Sequence, residues 1–156
     1  MIYKSIYSSP LGFLEICADG GEEVTRIYFT STPSSRYTEC ESTRRAAEQL
    51  VAYFQGSLTD FTVPLAPEGT AFEQQVWEAC RNIPYGETRT YKEIAAAIGD
   101  EKAARKAGQA VEKNPVAILI PTHRVKGKLS LLGSISSQAA IHEALRGAEK
   151  NFLKNS

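Results

Sequence analysis

The residues able to do chemistry are concentrated between Ile118 and Val125, where an apolar run meets Pro121 and is followed by Thr122, His123 and Arg124. A hydroxyl, an imidazole and a guanidinium in succession, turned out of a buried segment, have the form of an active-site loop. Imidazole can act as a general base near neutral pH. A threonine hydroxyl is a weak nucleophile without such activation. A buried histidine with a carboxylate partner is also a common core feature, so from these residues alone both readings stand. Seven Lys/Arg and one acid lie within 102–128, although the whole chain has 18 of each sign. A local basic surface on a neutral protein points to phosphate contact by one face and argues against blanket polyanion binding.

Residues 1–66 carry 5 Lys/Arg against 8 Asp/Glu, and 67–156 carry 13 against 10. At 156 residues and 42% hydrophobic the chain can bury a real core as one large or two small domains. Cys17, Cys40 and Cys80 are too few and scattered for a disulfide framework or zinc spacing. Free thiols in a reducing compartment are expected, with no metal and no cofactor. Nothing reads as a signal peptide or membrane span. The expected location is cytoplasmic, or nucleoid-associated in a bacterium.

The elements that must position these residues follow from the period. Ile2–Ser8, Leu11–Ala18 and Val24–Thr30 read as strands, the second dense enough in apolar residues for burial on both faces, with turns at Ser9-Pro10 and Asp19-Gly20-Gly21. From about Thr38, Ala46, Leu50, Val51 and Phe54 recur at helical spacing, with Gly56 as C-cap glycine. Phe61–Leu65 reads as a short strand, and Ala66–Gly69 as the linker. The expected domains are therefore 1–66, a small antiparallel sheet with a helix, and 67–156, a helical domain. Thr70 can cap a helix to about Asn82 whose stripe is Phe72, Val76, Trp77 and Cys80. Thr90 or Tyr91 opens a short helix ending at Gly99, and a further helix covers about Glu101–Lys113, which together form a helix-turn-helix pattern.

On that last helix Lys102, Arg105, Lys106, Gln109, Glu112 and Lys113 fall within an arc of about 120°. Beside Arg105 the flank is nearly bare, since Ala104 and Gly108 are one turn apart. Small residues admit another surface closely, which suits entry into a DNA groove with Arg105 probing the stack and lysines on phosphates. A solvated amphipathic helix is the bland alternative. Asn114-Pro115 ends the helix, Val116–Ile120 reads as a short buried strand, and Ala139–Glu149 closes the domain as a helix with Ile141, Ala144, Leu145 and Ala148 inward.

From about Tyr53 to Glu149 the chain resembles the alkylguanine-DNA alkyltransferase family. The resemblance lies in Thr70–Phe72 with Val76-Trp77, Ile83-Pro84-Tyr85-Gly86, Thr90-Tyr91, Ala103-Ala104-Arg105, Gly108, Asn114-Pro115, Ile120-Pro121, His123-Arg124-Val125 and Glu149, in the family's order. It implies a mixed α/β fold: a ribonuclease H-like sheet domain, and a helical, winged helix-turn-helix-like domain. It also implies flipping of an alkylated guanine out of duplex DNA, and irreversible transfer of the alkyl group to a cysteine thiolate. In the roles so implied, Tyr91 presses on the target phosphate and Arg105 fills the gap. Ala104 and Gly108 lie near the minor groove and Asn114 braces the active-site turn; Lys102, Lys106 and Arg124 join the DNA-facing set by their charge and position, although Lys106 is bulkier than the small residue usual in the family. His123 is a base acting through water, oriented by Glu149.

Two departures matter. The family's cysteine falls at Thr122, whose hydroxyl is less acidic and β-branched. The family's base-pocket Gly-Tyr and following glycines fall at Gly133-Ser134-Ile135-Ser136-Ser137, which puts Ser134 and Ser136 in the pocket. Alkyltransferase-like proteins, with tryptophan in place of the cysteine, bind lesions without repairing them and pass them to excision repair. The leading expectation is thus a monomeric, non-enzymatic binder of double-stranded DNA carrying alkylated guanine, with excision-repair proteins as partners. Two alternatives remain open. One is an alkyl-transferring enzyme, either through a natural cysteine that Thr122 replaces or through a slowly reacting Thr122. The other is a helix-turn-helix regulator that never flips a base.

Overall fold

Three antiparallel strands, β1 (Ile2–Ser9), β2 (Gly12–Asp19) and β3 (Arg26–Thr30), open the chain in the order β1-β2-β3. They belong to a computed structural model that describes residues 1–126 and 137–155. The chain divides into two units, Met1–Glu68 with Pro115–Ala117, and Gly69–Asn114 with Ile118–Ser156.

In the first unit the central strand is buried on both faces, as its apolar density requires. Ser5 pairs with Ile16 across β1 and β2, and the Ser5 hydroxyl lies 2.9 Å from Thr43 Oγ1. That side of the sheet is therefore covered by α1 (Glu41–Phe54), whose buried residues include Ala46, Leu50 and Tyr53. Tyr53 takes the inward place expected for Val51, which is half-buried. On the opposite face the buried Glu15 carboxylate accepts from Lys4 Nζ at 3.0 Å, the Ser34 backbone N–H at 2.8 Å and the Tyr28 hydroxyl.

The strand expected at Phe61–Leu65 is an isolated parallel bridge between Leu65 and Val24. Pro64 has no N–H to extend a ladder. The bridge is made by Val24 N–H to the Pro64 carbonyl at 2.9 Å and Ala66 N–H to the Val24 carbonyl at 2.8 Å. Val116–Ile120 is also not a strand. Pro115–Ala117 joins the first unit by bracketing Ile27, whose N–H donates to Pro115 and whose carbonyl accepts from Ala117, both at 2.9 Å. The backbone then turns through Ile118 at φ 72°.

In the second unit α2 (Ala71–Arg81) begins at Thr70, which forms a capping box with Glu73. Thr90 and Glu93 do the same for α3 (Tyr91–Ala97). The helix expected over Glu101–Lys113 divides into a 3-10 turn, Glu101–Ala103, and α4 (Ala104–Glu112). Gly99, at φ 81°, makes the reversal between α3 and that turn. The Trp77 indole N–H donates to the Ala110 carbonyl at 2.9 Å and fixes α2 to α4. Arg89–Thr90 (β4) and Val125–Lys126 (β5) form a two-residue parallel ladder. The last helix, α5 (Ser137–Lys154), outruns the expected 139–149. Ala144 is exposed, while Leu145 and Glu149, one turn apart, are buried. The result is a mixed α/β protein: a small antiparallel sheet with a helix, and a helical domain.

Candidate functional site

Thr122–Arg124 form a single 3-10 turn after Pro121, and all three side chains are buried. Its entry is fixed by Asn114, which follows the C-cap of α4 at Lys113. Asn114 Nδ2 donates to the Ile120 carbonyl at 2.9 Å and to Thr122 Oγ1 at 3.0 Å. A carbonyl only accepts, so the contact with Ile120 sets the amide orientation and makes Thr122 an acceptor from Asn114.

The exit is fixed by one carboxylate. Glu149 Oε2 lies 2.6 Å from His123 Nε2, and Glu149 also accepts Arg124 Nε at 2.9 Å, Arg124 Nη2 at 3.1 Å and the Gly86 N–H at 3.0 Å. Arg124 Nη1 reaches the Ile83 carbonyl at 2.8 Å, and its guanidinium lies over the Tyr85 ring. Arg146 Nη1 donates to the His123 carbonyl at 2.9 Å. Gly86 is at φ 81°, a backbone conformation that L side chains rarely adopt, and a Cβ there would also displace the exposed end of Leu153, whose Cδ1 would lie 2.1 Å away.

Burial drives the His123 pKa down, the Glu149 contact opposes this, and the Arg124 and Arg146 charges add to the lowering. The neutral ring must place its proton on Nε2 to donate to Glu149, which leaves the lone pair on Nδ1. The arrangement is a histidine of fixed tautomer, next in sequence to a hydroxyl held by an amide.

Arg124 corrects the expectation for the DNA-facing set: it is 6% exposed and its guanidinium is committed to Glu149 and Ile83. A buried bidentate ion pair of this kind is structural. Lys102, Arg105, Lys106 and Gln109 are exposed together and line an open depression with Asp100 and Ala103. Lys106 Nζ rests 4.3 Å above the Phe72 ring. Ala104 and Gly108 are half-buried on the same helix, and Gly108 lies against the Tyr91 ring. A Cβ at Gly108 would sit 3.5 Å from that ring, an ordinary contact. The half-buried Tyr91 is at the first position of α3, and its phenol pKa is raised chiefly by burial. Ser134 and Ser136, expected in the base pocket, lie outside the described residues.

Sequence reasoning did not find Gly86 N–H, Ile83 carbonyl, Tyr85 or Arg146 as parts of the site. Arg146 was accessible, since it is one helical turn before Glu149. A backbone N–H or carbonyl has no side-chain signature. Cys80 is buried with its thiol pushed up to about 12, and Cys17 is buried and raised by the same desolvation. For Cys40, burial raises the thiol and hydrogen bonds with Ser42 and Thr43 outweigh it, so the net shift is downward. Among the described residues no group of His, Cys, Asp and Glu could hold a metal, and no helix is long and apolar enough to cross a membrane.

Comparison with known proteins gives a consistent result. Residues 71–151 match the 6-O-methylguanine DNA methyltransferase DNA binding domain, and 2–67 match the ribonuclease-like domain of the same enzymes. A Methanosarcina acetivorans methylated-DNA–protein-cysteine methyltransferase is 43% identical over 92% of this chain and 96% of its own. The constitutive methylated-DNA–protein-cysteine methyltransferase of Bacillus subtilis is 38% identical over 99% of both. The crystal structure of Mycobacterium tuberculosis O6-methylguanine methyltransferase superposes with a TM-score of 0.86 at 37% identity, covering 97% of this chain and 94% of that one. The M. tuberculosis OGT in complex with DNA gives 0.83 at 39% identity over 96% and 94%.

Proposed function

The chain belongs to the 6-O-methylguanine DNA methyltransferase family, and on that premise we propose that it binds duplex DNA, draws an O6-alkylated guanine out of the stack and holds it without accepting the alkyl group. By the resemblance Thr122 takes the family's acceptor position, and the observation that carries the reading is its hydroxyl oxygen accepting from Asn114 next to the buried His123–Glu149 pair. Alkyl transfer by this family's mechanism forms a bond from sulfur to the alkyl carbon as the carbon–oxygen bond breaks. It requires a thiolate, which a neighbouring histidine can generate from cysteine and not from threonine. Neither Cys17 nor Cys80 can substitute, because each is a buried thiol of raised pKa.

Recognition needs no nucleophile. Flipping costs a few kcal/mol and is cheapest at a damaged pair. In this reading Tyr91 presses on the target phosphate, and Arg105 occupies the gap in the stack. Ala104 and Gly108 face the minor groove, while Lys102 and Lys106 neutralise phosphates. Asn114 keeps the Thr122 turn registered to α4. The protein acts as a monomer in the cytoplasm, at the nucleoid in a bacterium, and passes the held lesion to excision-repair proteins. The test is equilibrium binding of two duplexes of one sequence, with and without O6-methylguanine, at one stated salt concentration. Tighter binding of the lesion is expected, and equal affinity contradicts the proposal.

The completeness of the His123–Glu149 pair favours a second reading, in which the site is an alkyl-transfer frame one residue from competence. Under it, cysteine at position 122 is sufficient for transfer.

A further inference from the structure

The hydrogen-bond bookkeeping around Thr122 singles out one donor. Thr122 is 3% exposed. Its oxygen accepts from Asn114 Nδ2, whose second hydrogen is taken by the Ile120 carbonyl. Asn114 therefore cannot reverse its amide to accept from the threonine without placing two acceptors, its own Oδ1 and the Ile120 carbonyl, face to face. The His123 Nε2 edge is committed to Glu149. Among the described residues, no acceptor is set against the Thr122 hydroxyl hydrogen. A buried hydroxyl that accepts a charge-neutral amide proton and keeps an unspent donor is polarised to donate, and leaving that donor unmet is costly.

We propose that Thr122 is a specificity-determining donor: its hydroxyl hydrogen bonds the oxygen attached to C6 of the held purine, so the residue reads an acceptor at the place where the alkyl group is attached. This rests on the proposed function and deepens it, because it sets the class of base the site takes. A 6-oxygen purine, alkylated on that oxygen, presents a lone pair to Thr122. A purine with an alkylamino group at C6 presents an N–H, and two donors then face each other at a hydroxyl that is 3% exposed. Sites built to pair a polar atom reject the analogue that cannot pair far more strongly than apolar pockets reject a missing methylene.

The test compares two duplexes differing at one base: O6-methylguanine, and 2-amino-6-methylaminopurine, which replaces the ether oxygen with N–H. Each is opposite the same pyrimidine, and unmodified guanine serves as reference. Wild type and Thr122→Ser, which keeps the hydroxyl, are expected to favour the oxygen base by about tenfold or more. Thr122→Val, of similar shape without the donor, is expected to bring the two bases within about threefold. The readout is a ratio within each variant, so a fraction of unfolded protein cancels. A tenfold ratio retained by Thr122→Val overturns the inference. So does a ratio near one in a wild type that still prefers O6-methylguanine to guanine. If the wild type does not distinguish O6-methylguanine from guanine, both this inference and the reading beneath it fall.

Discussion

At the residue scale, Glu149 carries an unusual load: one buried carboxylate satisfies a guanidinium, an imidazole and a backbone N–H. Removing one partner of a buried, hydrogen-bonded charge pair costs about 3–5 kcal/mol, because the remaining charge is left desolvated. Glu149→Ala is accordingly expected to lose about that much stability by denaturant unfolding. A loss below about 1 kcal/mol would mean that Arg124 finds other partners. Ile118 makes a second argument from magnitudes. A β-branched residue at φ 72° is strained, by about 1–2 kcal/mol for left-handed backbone. Its side chain is 3% exposed, and removing such a chain costs about 2–5 kcal/mol. Packing outweighs strain, which is why isoleucine can stand there. Both Ile118→Ala and Ile118→Gly should therefore destabilise, with glycine at least as stable as alanine. In ordinary backbone glycine is worse by about 0.5–1 kcal/mol. Glycine clearly below alanine in thermal unfolding would contradict the strained turn.

At the element scale, α4 carries the proposed DNA contacts, and its lysines and arginine should separate by role. Each phosphate contact contributes about 0.9 to the slope of log affinity against log salt. Lys102→Ala should thus lower the slope by about one and weaken damaged and intact duplexes equally. Arg105→Ala should weaken the damaged duplex more. An unchanged slope for Lys102→Ala would remove that lysine from the interface. The elements were largely legible in the sequence where their determinants are local. The Thr70/Glu73 and Thr90/Glu93 capping boxes are three-residue patterns and open α2 and α3 where those patterns stand. Legibility failed where partners are remote. Arg124 looked like part of a basic surface because its neighbours in sequence are basic, but its partners Glu149 and Ile83 are 25 and 41 residues away. Val116–Ile120 looked like a strand for a similar reason, since the bonds that claim Pro115–Ala117 for the first unit come from Ile27.

At the scale of the whole molecule, the two histidines make stability fall on acidification. Burial lowers His123 below its ordinary value near 6.5, and burial, with His123 and the Arg146 charge nearby, pushes His142 down to about 4. As pH drops below about 6.5 the unfolded chain takes up protons that the folded chain refuses, so unfolding becomes easier. Glu15 adds a lower window. Burial works to raise its pKa, and the hydrogen bonds from Tyr28, Ser34 and Lys4 outweigh it and hold the carboxyl at about 2. Its contribution is complete above about 4.5 and is lost as pH falls toward 2. Denaturant midpoints should decline from pH 7.5 to 5, with a shallower decline in His142→Gln. A flat profile would contradict the buried neutral histidines. Above these details stands the claim that the family frame is present and only its nucleophile is missing. Intact-protein mass spectrometry of wild type and Thr122→Cys, each incubated with an O6-methylguanine duplex, tests it most directly. The wild-type mass should be unchanged, and the Thr122→Cys mass should rise by one methyl group. A methylated wild type, or an unreactive Thr122→Cys that still binds the duplex, would contradict it.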